Sequence, residues 1–86
     1  MDINELIAIV KKKISNQIEI EEINIEDKSF LHKNHTGNEI DKFHLKISLR
    51  SLQLKKLSKI DSNKIIYKTL ENEMKSYIHS LQILIR

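Results

Sequence analysis

The strongest constraint on the fold is a change of hydrophobic period between residues 61 and 85. Large apolar side chains first recur every four residues, a spacing that predicts a helix with one broad apolar face; they are Ile66, Leu70 and Met74, with Tyr67 and Tyr77 beside them. Asp61 or Ser62 is predicted to cap the first turn of this helix. From Ile78 onward the apolar residues alternate with others, which is the period of a strand. The chain is therefore predicted to pass directly from a long helix into a strand, with His79 at the junction.

The N-terminal part of the chain predicts a helix followed by a strand. Residues 2–14 carry apolar side chains at helical spacing, and Asp2 followed three residues later by Glu5 resembles a capping box. In residues 17–26 apolar and polar side chains alternate, as in a strand with one solvent-exposed face. The alternation shifts partway, which predicts a bulge near residues 21–22.

A long polar segment precedes the clearest strand of the sequence. Residues 27–41 predict a loop that holds the only glycine, and loops of this length in compact domains are more often functional than accidental. Residues 43–50 alternate strictly: Phe43, Leu45, Ile47 and Leu49 are predicted to face the core, and His44, Lys46, Ser48 and Arg50 to face outward. Residues 51–60 predict an irregular connection with one helical turn around Leu54–Leu57.

Together these elements predict a two-layer sandwich. Their order is helix, strand, strand, short helix, helix, strand (αββααβ), and the helices must cover one face of a small sheet. We therefore expect an α/β chain of the α+β two-layer type, with a three-stranded mixed sheet and helices on one face. A chain of 86 residues makes one domain, residues 1–86, with a single thin core layer.

The composition excludes several classes of function. The chain contains no cysteine, which rules out disulfides, thiolate metal sites and thiol nucleophiles. It shows no apolar run near the ~20 residues of a membrane span, and its N-terminal charges follow the apolar segment instead of preceding it as in a secretory signal. A recognisable nucleophile–base pair and a glycine-rich phosphate loop are also missing. We expect a cytoplasmic protein that is not an enzyme and is a monomer when alone.

The middle of the chain is strongly basic. Residues 42–68 hold eight lysine or arginine residues and one acid, although the net charge of the whole chain is only +3. Such a block is most often a solvated lysine-rich surface, but it also predicts a face for nucleic acid or an acidic partner. The candidate contacts on this face are Lys55, Lys56, Lys59 and Lys64.

Three of the four histidines are candidate metal ligands. His79 lies at the helix-to-strand junction; from the residues alone it is either a ligand or, more commonly, a structural residue whose ring bonds the backbone. His32 and His35 lie in the loop of residues 27–41, and a zinc site formed by them with His79 is an alternative, since imidazole suits zinc. His44 is predicted to be a surface residue on the outer face of a strand.

The order and spacing of these motifs resemble the BolA family over residues 3–83. In the loop, residues 27–32 match the family pattern D-E-S-Y-x-H, and His35 and Gly37 match the x-x-H-x-G that follows it. In the strand that comes next, residues 43–47 match T-H-F-K-V. In the long helix, Tyr67, Leu70 and Glu73 match Y-x-x-L-x-x-E, and residues 78–81 after it match V-H-A-L. The departures are that the basic triplet R-H-R keeps only Lys64, that the F-x-G of the connection is replaced by residues 54–56, and that Lys42 replaces a glutamate.

The resemblance implies both a fold and a partner. The fold is similar to class II KH domains, and the partner is a monothiol glutaredoxin that carries a glutathione-ligated 2Fe-2S cluster. In such a pair the BolA-like protein supplies imidazole ligands, a role that carries over to His79 as the principal ligand, with His32 or His35 as the second. The implied function is iron–sulfur cluster assembly or trafficking, or iron-linked regulation, and no cofactor is expected on the isolated chain.

The ligand chemistry of the chain agrees with that expectation. Iron–sulfur clusters are usually held by thiolates, and imidazole can replace two of them on one iron. A chain with imidazoles and no thiolates cannot hold an ordinary cluster alone, but it can complete one that a thiol-bearing partner presents. The alternative function is a nucleic-acid-binding transcriptional regulator that uses the basic KH-like surface. The G-x-x-G loop of KH domains is missing, so DNA binding is expected to be weak, nonspecific and salt-sensitive.

Overall fold

The computed structural model describes residues 1–29 and 42–86. Its elements are α1 (Ile3–Gln17), β1 (Glu22–Asp27), β2 (Phe43–Arg50), α2 (Leu52–Lys55), α3 (Lys59–Thr69), α4 (Glu71–Ser76) and β3 (Ile78–Ile85). The predicted order αββααβ is confirmed, with the last predicted helix divided into α3 and α4 at Leu70. Backbone bonds continue across this division, because Leu70 N–H donates to Ile66 O and Met74 N–H donates to Leu70 O.

The three strands form one mixed sheet in the order β1–β2–β3. β1 pairs with β2 in antiparallel fashion without interruption, and β2 pairs with β3 in parallel fashion. A parallel pair needs a crossover connection, which α2, α3 and α4 supply here. The predicted three-stranded mixed sheet is therefore confirmed.

The core lies between the sheet and the helices that cover one of its faces. The fully buried apolar residues include Leu6, Val10 and Ile14 of α1, Leu45, Ile47 and Leu49 of β2, Ile66 of α3, and Leu70 and Ile78. The alternation predicted for residues 43–50 is correct, because the odd-numbered residues face this core while His44, Lys46 and Ser48 lie half-buried on the opposite, open face.

The first strand begins later than its sequence pattern predicts. α1 extends to Gln17, and the buried Ile18 forms its C-cap with an N–H donated to Ile14 O. β1 starts only at Glu22, and its register with β2 is continuous. The shift in alternation is thus caused by the end of a helix and a connection, and the predicted bulge near residues 21–22 is wrong.

Serine caps define α2 and α3. The N-cap of α3 is Ser58, whose hydroxyl accepts from Asp61 N–H, so the predicted caps at Asp61 or Ser62 are wrong. Ser62 is instead fully buried, and its hydroxyl lies 3.1 Å from Leu54 O and 2.8 Å from Ser58 O, which ties α2 to α3. A helical turn is predicted at residues 54–57, but the structure has it two residues earlier, as α2. The helix begins there because Ser51 is its N-cap.

Candidate functional site

The edge of the sheet where β2 and β3 both begin carries an irregularity at His79. Phe43 pairs with Ile78, but His44 pairs with Ser80, so His79 is an extra residue inserted into β3. Such a bulge bends a strand and changes the direction of a side chain, and bulges are common next to functional sites. Ile78 is buried, whereas His79 and Ser80 are both exposed. The bulge therefore holds the imidazole of His79 outside the core.

The same edge brings a second imidazole beside His79. The ring centroids of His44 and His79 are 4.9 Å apart, and the two rings are tilted by 53°. The strand pattern predicts His44 as a surface residue and does not predict that its ring lies beside His79. The pairing could have been inferred from the positions of the two histidines, because each is the second residue of its strand. Parallel strands that start at the same edge of a sheet bring their first residues close together.

The imidazole of His44 is oriented by hydrogen bonds. Its Nδ1 lies 2.6 Å from the hydroxyl of Ser80. Its backbone is held as well, because His44 N–H donates to Ser29 Oγ and His44 O accepts from Lys28 N–H. Metal-binding imidazoles are commonly oriented through such a hydrogen bond on one ring nitrogen while the other nitrogen coordinates the metal.

The two predicted loop ligands, His32 and His35, lie outside the described residues. The segment that contains them follows Ser29 and precedes Lys42, and these two residues flank the ends of β1 and β2 at the edge that carries His44 and His79. Within residues 1–29 and 42–86, the structure contains no group of three or more histidine, cysteine or acidic residues that could hold a metal ion. The described part of the site is thus a pair of imidazoles.

The open face beside this edge carries an ion pair. Lys28 Nζ lies 2.9 Å from Glu26 Oε2. The hydrogen bond and the positive charge of Lys28, with a smaller contribution from the charge of Lys46, lower the pKa of Glu26 below its ordinary value of 4.5. The carboxylate of Glu26 is therefore held in its charged form near the end of β1.

We expect Lys28→Ala to raise the pKa of Glu26 toward its ordinary value, because the largest cause of the lowered pKa is removed. A carboxyl group whose pKa is lowered by folding stabilises the fold above its unfolded pKa and loses this effect as pH falls through the folded pKa. The pKa is measured by following the side-chain carboxyl carbon during an NMR titration, with Lys11→Ala on α1 as the control. An unchanged pKa in Lys28→Ala would contradict the assigned cause.

The four lysines of the predicted basic face do not share one concavity. Lys55 and Lys59 line the same groove of about 290 Å³ next to β3. Lys56 lines a different concavity together with Glu19 and Glu21, and Lys64 lines neither of the two. All four side chains are exposed. Lys55 and Lys59 are therefore the two lysines of the predicted set that line this groove together.

The fold and this edge define a small α+β domain in which the exposed imidazole of His79 lies beside the half-buried imidazole of His44 where parallel strands begin. The chain belongs to the BolA family: the family model described as BolA-like protein matches residues 14–86. No curated protein sequence matches the chain. No helix in the described ranges is long and apolar enough to cross a membrane.

Solved structures of BolA proteins share this fold. The BolA domain of SufE1 from Arabidopsis thaliana is 25% identical, with a TM-score of 0.77, over 92% of this chain and 87% of that one. BolA1 from Arabidopsis thaliana is 23% identical, with the same TM-score and coverage. BolA1 from Mus musculus is 17% identical, with a TM-score of 0.71, over 90% of this chain and 60% of that one. The predicted family and fold are therefore confirmed.

Proposed function

We propose that this protein is the partner of a monothiol glutaredoxin and supplies imidazole ligands to a 2Fe-2S cluster that the two proteins share. The observation that carries the proposal is the exposed imidazole of His79, which a bulge holds outside the core beside the imidazole of His44. The role is one of ligand donation in cluster assembly, trafficking or iron-linked regulation, and it requires no catalytic step.

The donor set of this chain fits such a shared cluster. The sequence has no cysteine, so thiolates must come from the glutaredoxin and its glutathione. Imidazoles can replace two thiolates on one iron, and a ligand on a paired strand keeps the fixed position that metal geometry demands. His79 lies in β3 between Ile78 and Ser80, which pair with Phe43 and His44 of the central strand.

The second ligand has three candidates. The resemblance to the family assigns this role to His32 or His35, and the geometry of the sheet adds His44, whose ring is already adjacent to His79. If His44 is not the second ligand, its ring still lies next to the imidazole of His79, the proposed principal ligand. Substitution of each histidine in turn separates these cases.

The proposal is tested by mixing the protein with a monothiol glutaredoxin loaded with its glutathione-ligated cluster. Replacement of thiolate by imidazole changes the ligand field of one iron, so we expect new bands in the visible absorption and circular dichroism spectra, saturating at a fixed stoichiometry. Size-exclusion chromatography should show a heterodimer that contains iron and sulfide. A mixture whose spectra equal the sum of the two separate spectra would contradict the proposal.

A second candidate function is nucleic-acid binding, which is favoured by the position of Lys55 and Lys59 in one groove. We expect weak binding to duplex DNA, with log K falling linearly as log salt concentration rises. Each phosphate contact removed by Lys55→Ala or Lys59→Ala should reduce this slope by about 0.9. Fluorescence anisotropy over a salt series measures the slope, and Lys12→Ala on α1 is the control. Tight, sequence-selective binding at physiological salt would instead favour the transcriptional regulator.

A further inference from the structure

We propose that the open edge of β3 and the groove beside it bind an extended acidic peptide, which joins the sheet as an additional strand. The groove is lined by residues 83–85, at the opposite end of β3 from His79. The proposal goes beyond cluster binding and does not depend on it.

The outer edge of β3 presents backbone donors and acceptors. β3 is the outermost strand of the sheet formed by the described residues. Arg86 N–H donates to Leu49 O of β2, so backbone groups of the alternate residues Ile83 and Ile85 point away from β2. The carbonyl of Leu81, which has the same parity, accepts from the Tyr67 hydroxyl on that outer side. Ile83 and Ile85 therefore direct their N–H and C=O groups toward the open edge.

This edge lacks the features that usually prevent strand addition. Edge strands of soluble proteins are commonly protected by charged residues, proline or bulges. Residues 78–85 contain no charged residue and no proline, and the bulge at His79 lies at the far end of the strand. β1, the other edge strand, carries Glu22, Glu26 and Asp27. Within the described ranges, the C-terminal half of β3 is thus the sheet edge that carries none of these protecting features.

A groove of about 290 Å³ follows this part of β3. Its apolar lining includes Leu57, Ile83, Leu84 and Ile85, and its charged lining residues are Lys55 and Lys59. Side chains of consecutive strand residues point to opposite faces, so a groove that touches three in a row runs along the backbone. Because β2 covers the other side of β3, the groove lies on the open edge. Leu57 and Leu84 are 40% and 46% exposed, which leaves apolar surface for a partner to cover.

The charges of the groove select the occupant. Added strands gain affinity from backbone hydrogen bonds and specificity from side-chain pockets. Among the described residues that line the groove, both charged ones are cationic and none is acidic, so a peptide with acidic side chains is electrostatically complementary. The same strand of a second copy, residues 78–85, contains no acidic side chain that could complement Lys55 and Lys59. None of the lining residues in the described ranges is aromatic, so they offer no ring on which the bases of a nucleic acid could stack.

The probe for this proposal is a capped decapeptide of alternating glutamate and valine, added to the full chain labelled with nitrogen-15. We expect the peptide to shift the NMR amide signals of Ile83 and Ile85, and at saturation to slow their hydrogen exchange at least about tenfold, because new ladder bonds protect these groups. A peptide with the same sequence and an N-methyl group on every residue cannot donate ladder bonds from either of its edges and should not bind.

Charge variants test the role of Lys55 and Lys59 in binding the peptide. The double variant Lys55→Glu/Lys59→Glu should weaken binding of the decapeptide about tenfold, since two attractive charges become repulsive. The matched control is Lys11→Glu/Lys12→Glu, which changes two exposed lysines on α1 and should leave binding unchanged. The amide spectrum of each variant verifies that it is folded.

Four results would overturn the proposal. The first is no binding of the decapeptide at millimolar concentration, and the second is equal binding of the N-methylated peptide. The third is tighter binding of a ten-residue oligothymidylate with the same amide shifts, which would assign the groove to nucleic acid. The fourth is concentration-dependent shifts of Ile83 and Ile85 without peptide, which would assign the edge to self-association.

Discussion

His79→Ala is expected to abolish the spectral change that appears when cluster-loaded monothiol glutaredoxin is added to the protein. The substitution removes the exposed imidazole that the bulge in β3 presents, and alanine offers the cluster no ligand in its place. The isolated variant should remain folded, because His79 is exposed and surface substitutions usually change the free energy of unfolding by at most about 0.5 kcal/mol. Visible circular dichroism measures the cluster, and far-ultraviolet circular dichroism measures the fold.

Four further variants identify the second ligand. His32→Ala and His35→Ala should each cause a partial loss if either loop histidine can coordinate, and the double variant should cause a larger loss. His44→Ala should cause the main loss if the neighbour of His79 is the second ligand. The matched control is Gln82→Ala, which truncates an exposed side chain on the same strand. A wild-type cluster spectrum in His79→Ala would show that this histidine is structural.

Lys13→Met is expected to destabilise the fold by about 2 kcal/mol, because it leaves the carboxylate of Glu73 buried without its counter-ion. The Lys13 Nζ to Glu73 Oε2 distance is 2.6 Å, and the side chain of Glu73 is only 8% exposed. Its other oxygen, Oε1, is buried without a hydrogen-bond partner among the described residues. Breaking a fully buried ion pair costs about 3–5 kcal/mol, but the side chain of Lys13 is 38% exposed, so solvent reduces the effect.

A double-mutant cycle separates the ion pair from the loss of a lysine. The double variant Lys13→Met/Glu73→Met should recover most of the lost stability, since apolar residues often replace a buried ion pair at little cost. Lys12→Met, an exposed neighbour on α1, is the control. Urea denaturation measures each free energy of unfolding, and the melting temperature of Lys13→Met should fall by about 10 °C. Equal stability of Lys13→Met and Lys12→Met would mean that the pair contributes nothing measurable.

The register of the sheet explains why the candidate site was only half predictable. His79 could be identified because the hydrophobic period changes within a few residues of it, which is a local signal. Its neighbour His44 could not, because the two histidines meet only after β2 and β3 pair in parallel with a bulge between Phe43 and His44. The ion pair of Lys13 with Glu73 has the same origin, since its members lie on α1 and α4.

Local sequence patterns determined the type and order of the elements in this protein. The alternation of residues 43–50 and the four-residue spacing that includes Ile66 and Leu70 are properties of near neighbours, so β2 and the apolar face of α3 could be predicted before any packing was known. Only the tertiary structure decided the division at Leu70, the end of α1 at Gln17 and the insertion of His79 into β3. These features depend on contacts between residues far apart in sequence, and the local hydrophobic period carries no information about such contacts.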